Sequence, residues 1–207
     1  EGLVGSEMCI RDSFWNSWGS RQNNLVLVVC GSAASWMISR VLQDKGGLHN
    51  RVTHRFRLEP FDLAETREFL RSRQVDLTDY QIIELYLAFG GVPLYLEQAE
   101  RGESATQIID RVCFSRDGLL RDEFNQLYAA LFDSPDRHVQ IIRALAAKTI
   151  GLTRNDIATA TGQSPSGRLT AILEELVESG FVHSSPPYGK RVKDKIYRLA
   201  DEYSLFY

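Results

Sequence analysis

The sequence has no apolar run approaching the roughly 18–20 residues that a membrane-spanning helix needs, so nothing in it reads as a spanning segment. Cysteine is scarce. Cys9, Cys30 and Cys113 are odd in number and far apart, with no C-x-x-C pair. That excludes a disulfide framework and fits reduced, buried thiols in a cytoplasmic protein. His49, His54, His138 and His183 stand at no metal-ligand spacing, so no metal site is expected. Neither sign of charge dominates. The net charge of −3 carries no global nucleic-acid or membrane signal. The N-terminal residues lack a basic stretch followed by an apolar one and do not read as a secretory signal. There is also no G-x-x-x-x-G-K-[ST] motif, so the lysine and hydroxyl that hold phosphate and Mg²⁺ in P-loop enzymes are missing from these residues.

What is present is organised around Leu25–Met37. Six apolar residues, Leu25–Cys30, run unbroken into Gly31 and Ser32. A β-branched run bounded by Gly predicts a strand buried on both faces, as in a parallel sheet covered by helices. No other run of this kind occurs in the chain, although a buried strand needs hydrogen-bonding neighbours. The expectation is therefore one remaining strand of an α/β domain, in a chain that is a fragment of a longer protein. Residues 1–13 fit nothing that follows; they resemble translated adaptor sequence and contribute nothing to the expected fold. Phe14–Trp18 reads as a helix tail, and residues 35–42 as a short helix.

Arg55–Leu58 alternates polar and apolar before Pro60, which predicts a short strand. From Asp62 to Phe132 the pattern is helical. Asp62 with Glu65 forms a capping-box sequence, Thr78 opens a second helix, and Gly90-Gly91 stop it. Pro93 opens a third helix, and two more cover Ser104–Val112 and roughly Gly118–Phe132. Tyr80, Tyr86, Phe89, Phe114, Phe124, Tyr128 and Phe132 fall at helical spacings that place them in the core. Beyond Ser134 come an amphipathic helix (Pro135–Lys148), a short helix capped by Thr153, a turn at Gly162–Pro165, a longer helix (Ser166–Ser179), and two short strands around a polar loop. That order predicts a winged helix-turn-helix.

CGSAASWM at Cys30–Met37, the segment Arg55–Thr66, GGVPLYL at Gly90–Leu96 and the stretch Gly151–Val182 together resemble the AAA+-like ATPases of archaea and bacteria, within the STAND class of nucleotide switches. The resemblance covers Phe14–Tyr207. It implies a mainly α chain: a remnant of a P-loop α/β domain with one buried strand (14–60), a helical lid bundle (61–133), a winged helix-turn-helix (134–200) and the start of a further region (201–207). It also implies that the intact parent binds ATP and Mg²⁺, and that these residues alone, lacking the phosphate loop and the Walker B strand, neither bind nor hydrolyse ATP.

Ser32 matches the family's sensor position, where a hydroxyl contacts the γ-phosphate; a small residue for a tight turn explains it equally. Arg51 and Arg55 lie where relatives place an arginine finger; solvated or ion-paired arginines are the alternative. Gly91 and Pro93 match the G-x-P motif that sets a proline ring against adenine; a helix stop followed by Pro at the first helical position also accounts for them. If the winged helix reads double-stranded DNA, Ser164, Ser166, Arg168 and Thr170 stand at the reading end of its longer helix. Lys190, Arg191, Lys193, Lys195 and Arg198, against Asp194 alone, form a phosphate-sized basic patch. The other reading is a module that packs against its own chain or a protein partner, since Glu174, Glu175 and Glu178 crowd the far end of that helix. A DNA-binding regulator is thus the rival to a nucleotide switch.

Overall fold

A computed structural model describes residues 17–22, 24–28, 30–31, 53–54, 56–189 and 195–207. The chain divides into two units, residues 1–57 and 58–207. In the first, the described residues include one 3₁₀ turn, Gly19–Arg21. The expected buried strand at Leu25–Cys30 is not found there: its described residues belong to no strand, and Val26 and Val28 are 83% and 79% exposed. The physical reason is the lack of a neighbour, because no described segment offers the N–H and C=O groups that would pair it. Cys30 is exposed, not buried. Phe56–Leu58 is likewise irregular, and Phe56 and Leu58 are exposed. Residues 1–13, Phe14 and the helix expected at residues 35–42 lie outside the described residues.

The second unit is mostly helical. Its helices are α1 (Leu63–Ser72), α2 (Asp79–Phe89), the single turn α3 (Pro93–Leu96), α4 (Ala105–Ile109), α5 (Glu123–Leu131) and α6 (Pro135–Ala146). There follow β1 (Leu152–Thr153), α7 (Arg154–Thr161), α8 (Gly167–Glu178), β2 (Val182–Ser185), β3 (Ile196–Leu199) and α9 (Glu202–Phe206). The starts of four helices share one cause. Asp62, Thr78, Ser104 and Thr153 each accept a hydrogen bond from the backbone three residues on, and the side chains of Glu65, Gln81, Gln107 and Asp156 return to the cap N–H. α2 and α7 end where Gly90 and Gly162 take left-handed backbone conformations.

Three expected helices differ in extent. The one after Ser104 widens into a π turn at Asp110–Phe114. That turn breaks the 3.6-residue repeat, and Phe114 lands on the surface instead of in the core. The helix expected from Gly118 begins only at Glu123, because Leu120 folds back and donates its N–H to the Val112 carbonyl at 3.0 Å. α3 stops after one turn, where the carbonyls of Glu97 and Gln98 accept from the guanidinium groups of Arg73 and Arg111. Tyr80 is also exposed, on the solvent side of α2; the packed side carries Ile82, Leu85 and Phe89.

The three strands form one antiparallel sheet in the order β1-β3-β2, with Leu152 opposite Tyr197 and Val182 opposite Leu199. α8 lays Leu169, Ile172, Leu173 and Leu176 into the core beneath it. One hydrophobic cluster runs from Leu70 in α1 to Tyr203 in α9 and includes the interior of the sheet. Tyr128, fully buried in α5, sits where bundle and sheet meet: its ring lies 5.0 Å from Phe124, 6.0 Å from Phe132 and 4.9 Å from Phe181. Its hydroxyl shares a 2.8 Å hydrogen bond with Ser204 in α9. Tyr128→Phe leaves the Ser204 hydroxyl buried without this partner, at a cost of about 1–3 kcal/mol. Denaturant unfolding is expected to show a lower midpoint with an unchanged slope.

Candidate functional site

The segment around Phe61 and the Gly90–Leu96 segment, distant in sequence, meet in the fold. Phe61 donates its backbone N–H to the Gly91 carbonyl at 2.9 Å. Gly91 has φ of +69°, and a Cβ there would overlap the Phe61 carbonyl and press on the Tyr86 ring. Glycine is therefore required at 91 for both conformation and space. Beside it, Gly90 faces the start of α9: a Cβ at 90 would meet the Tyr203 backbone nitrogen at 3.4 Å and a carboxylate oxygen of Asp201 at 3.7 Å. The double glycine is thus a contact between two passing backbones.

Past this tight turn, Pro93 opens α3, and Pro93 and Leu94 are exposed. They form a small apolar step held by a rigid support, since Tyr95 and Leu96 behind them are buried. The Tyr95 hydroxyl donates to Glu123 at 3.1 Å, and burial beside that carboxylate pushes its pKa well up, so it stays protonated. Asp201, which caps α9 by accepting from the Ser204 N–H at 2.8 Å, has its carboxyl pKa raised by desolvation. No group of three or more His, Cys, Asp or Glu residues able to hold a metal occurs among the described residues.

The other expected positions separate into two groups. Ser32, Arg51, Arg55, Lys190, Arg191 and Lys193 lie outside the described residues. Ser164, Ser166 and Arg168 are exposed together at the start of α8. Thr170 is half-buried and engaged: its hydroxyl accepts from Arg154 at 3.0 Å. Arg154 was not among the expected contacts: it opens α7, 16 residues before Thr170 in α8, and the pairing had no local signal. Lys195 is half-buried before β3. Arg198 ties the sheet internally, donating to the Ile150 carbonyl at 2.9 Å and to Ser185. At the far end of α8, Glu175 accepts from the buried ring of His138 at 2.8 Å, while the other ring nitrogen of His138 faces the Ser134 carbonyl at 2.9 Å.

With this geometry in place, comparison with known proteins gives one structural likeness. Over 99% of its length the chain matches a solved structure of a Walker-type ATPase of Pyrococcus abyssi, with a TM-score of 0.66 at 20% sequence identity. The chain spans 58% of that protein's chain. At this identity the likeness shows a shared fold. No protein-family model matches the chain, and no curated protein matches it.

Gly91→Ala and Gly162→Ala separate space from conformation. Both glycines have φ near +65°, but nothing lies within 4 Å of a Cβ at 162. Gly162→Ala is expected to cost about 1–2 kcal/mol from the left-handed backbone alone. Gly91→Ala must also displace Phe61, and its loss of stability in thermal or urea unfolding is expected to exceed that of Gly162→Ala by at least about 2 kcal/mol.

Proposed function

We propose that these residues form the helical arm of a Walker-type ATPase whose phosphate-binding loop is not among them, in a nucleotide switch of the AAA+/STAND kind. The observation that carries this reading is the fold shared along 99% of the chain with a Walker-type ATPase. The Gly90–Leu94 turn supports it. An exposed proline ring backed by the buried Tyr95 and Leu96 suits the face of a nucleobase, and Gly91, packed against Phe61 and Tyr86, fixes the turn that presents it. On this reading Pro93 and Leu94 touch the base of ATP, and Gly91 sets their position. On this reading the triphosphate and Mg²⁺ are held by residues outside this sequence, which has no phosphate-loop motif. Ser32 as γ-phosphate sensor and Arg51 or Arg55 as finger belong to the same proposal. ATP would favour one placement of the arm by contacts it makes in that placement alone.

Residues 134–200 we read as a winged helix-turn-helix used for packing within the arm. Its longer helix spends Glu175 on His138, and two of its candidate DNA contacts, Thr170 and Arg198, are engaged internally. Duplex DNA binding by the 207-residue chain, if it occurred through the wing, would fall steeply with salt.

The test is a titration with a fluorescent ATP analogue, using the chain alone and the chain joined to the upstream part of its gene. The longer protein is expected to bind and the chain alone to show no saturable binding. Pro93→Ala in the longer protein is expected to weaken binding about tenfold, equivalent to about 1.4 kcal/mol. An upstream sequence without a phosphate loop, or binding indifferent to Pro93→Ala, contradicts the proposal.

A further inference from the structure

The helical bundle and the three-stranded region are joined by covalent connections at two points, before α6 and after β3. A helix that returned only loosely after β3 would leave a hinge between them. α9 does not return loosely. Its Tyr203 and Ser204 are 1% and 3% exposed. Tyr203 lies 5.2 Å from Tyr95 of α3, ring to ring, and its backbone sits against Gly90 at the end of α2. Ser204 holds the Tyr128 hydroxyl of α5. Tyr207, just beyond the helix, donates to the Leu120 and Arg121 carbonyls and stacks on Phe124 at 5.6 Å. Three residues, Tyr203, Ser204 and Tyr207, therefore reach α2, α3, α5 and the loop that precedes α5.

The other end of α9 is fixed to the sheet. Ala200 and Asp201 donate their N–H groups to the carbonyl of Phe181, at 2.9 and 3.4 Å. The ring of Phe181 turns the opposite way, into the bundle, 4.9 Å from Tyr128 and 6.1 Å from Phe132. Phe132 in turn stacks at 3.9 Å on His138, at the start of α6. The two regions are thus joined at three places: the Phe132–His138 link, Phe181, and α9. α9 adds a third attachment to the two that would remain without it.

We propose that α9 is a strap that locks the bundle and the three-stranded region into one body, so that residues 61–207 move without an internal hinge. Any nucleotide-driven movement then has its joint outside residues 61–207. The inference rests on packing alone and holds whether or not the chain's parent binds ATP.

The test uses spin labels in the full chain at Tyr80→Cys on α2 and His183→Cys on β2, both exposed positions, with Cys9 and Cys30 replaced by Ser. Cys113 can stay, since burial suppresses its reactivity and pushes its thiol pKa to about 11. Pulsed electron-spin resonance is expected to give a single narrow distance distribution. Tyr203→Ala, with its helical circular dichroism retained, is expected to broaden it at least twofold. A broad or two-peaked distribution in the parent overturns the proposal, as does a folded Tyr203→Ala protein with an unchanged distribution. Should Tyr203→Ala fail to fold, Ser204→Ala, which removes one hydroxyl and little packing, must widen the distribution; an unchanged width overturns the strap.

Discussion

The contact set around Tyr128 is the constraint on which the larger unit depends. One side chain of α5 closes the bundle core through Phe124 and Phe132, receives Phe181 from the edge of the sheet, and holds α9 through Ser204. These partners lie far apart in sequence, Ser204 by 76 residues. Burial of the ring supplies the non-directional part of the attraction. The buried hydroxyl supplies the directional part, because neither Tyr128 nor Ser204 can lose the other without stranding a polar group away from water. Burial keeps the phenol protonated by raising its pKa, so the bond is unaffected by ordinary changes of pH.

The candidate base-binding turn follows from the same architecture. Gly90 and Gly91 pass between the Phe61 carbonyl on one side and the backbone of α9 on the other. The turn is therefore held by elements from both ends of the unit, and Pro93 and Leu94 stand exposed on it. A rigid apolar step is a suitable surface for a flat ligand, since little ordering is left to be done on binding. The same rigidity makes the turn an effective point for a ligand to push against, because a displacement at Gly90 is felt directly at Asp201 and Tyr203.

Local signals in the sequence located the helices well. Asp62, Thr78, Ser104 and Thr153 each carry their own cap, and Gly90 and Gly162 their own stop, so a few adjacent residues suffice to read them. The mainly helical character follows from those signals; two of the three strands were read from their short apolar runs, while β1, two residues long, was missed because only its pairing with β3 makes it a strand. The failures have a common cause, which is dependence on something remote. Leu25–Cys30 has the composition of a buried strand, but composition cannot provide the neighbours that bury it. Tyr80 and Phe114 have core spacing, yet the first lies on a helix that also carries apolar residues on its solvent side, Ile83 and Leu87, and the second ends a π turn. The docking of α9 had no local sign, because Tyr203 and Ser204 find their partners in α3 and α5. Of the candidate site, Gly91 and Pro93 were legible as a motif. The reason Gly91 must be glycine, the Phe61 carbonyl against it, was visible only in the fold.

The central claim is that bundle and sheet share one core joined at Tyr128, and native-state hydrogen exchange in rising urea tests it most directly. The account predicts that the most protected amides of α2, such as Leu85, and of β3, such as Tyr197, converge on one unfolding isotherm, as a single cooperative unit requires. Two isotherms that stay apart, with the sheet opening while the bundle remains protected, would contradict it.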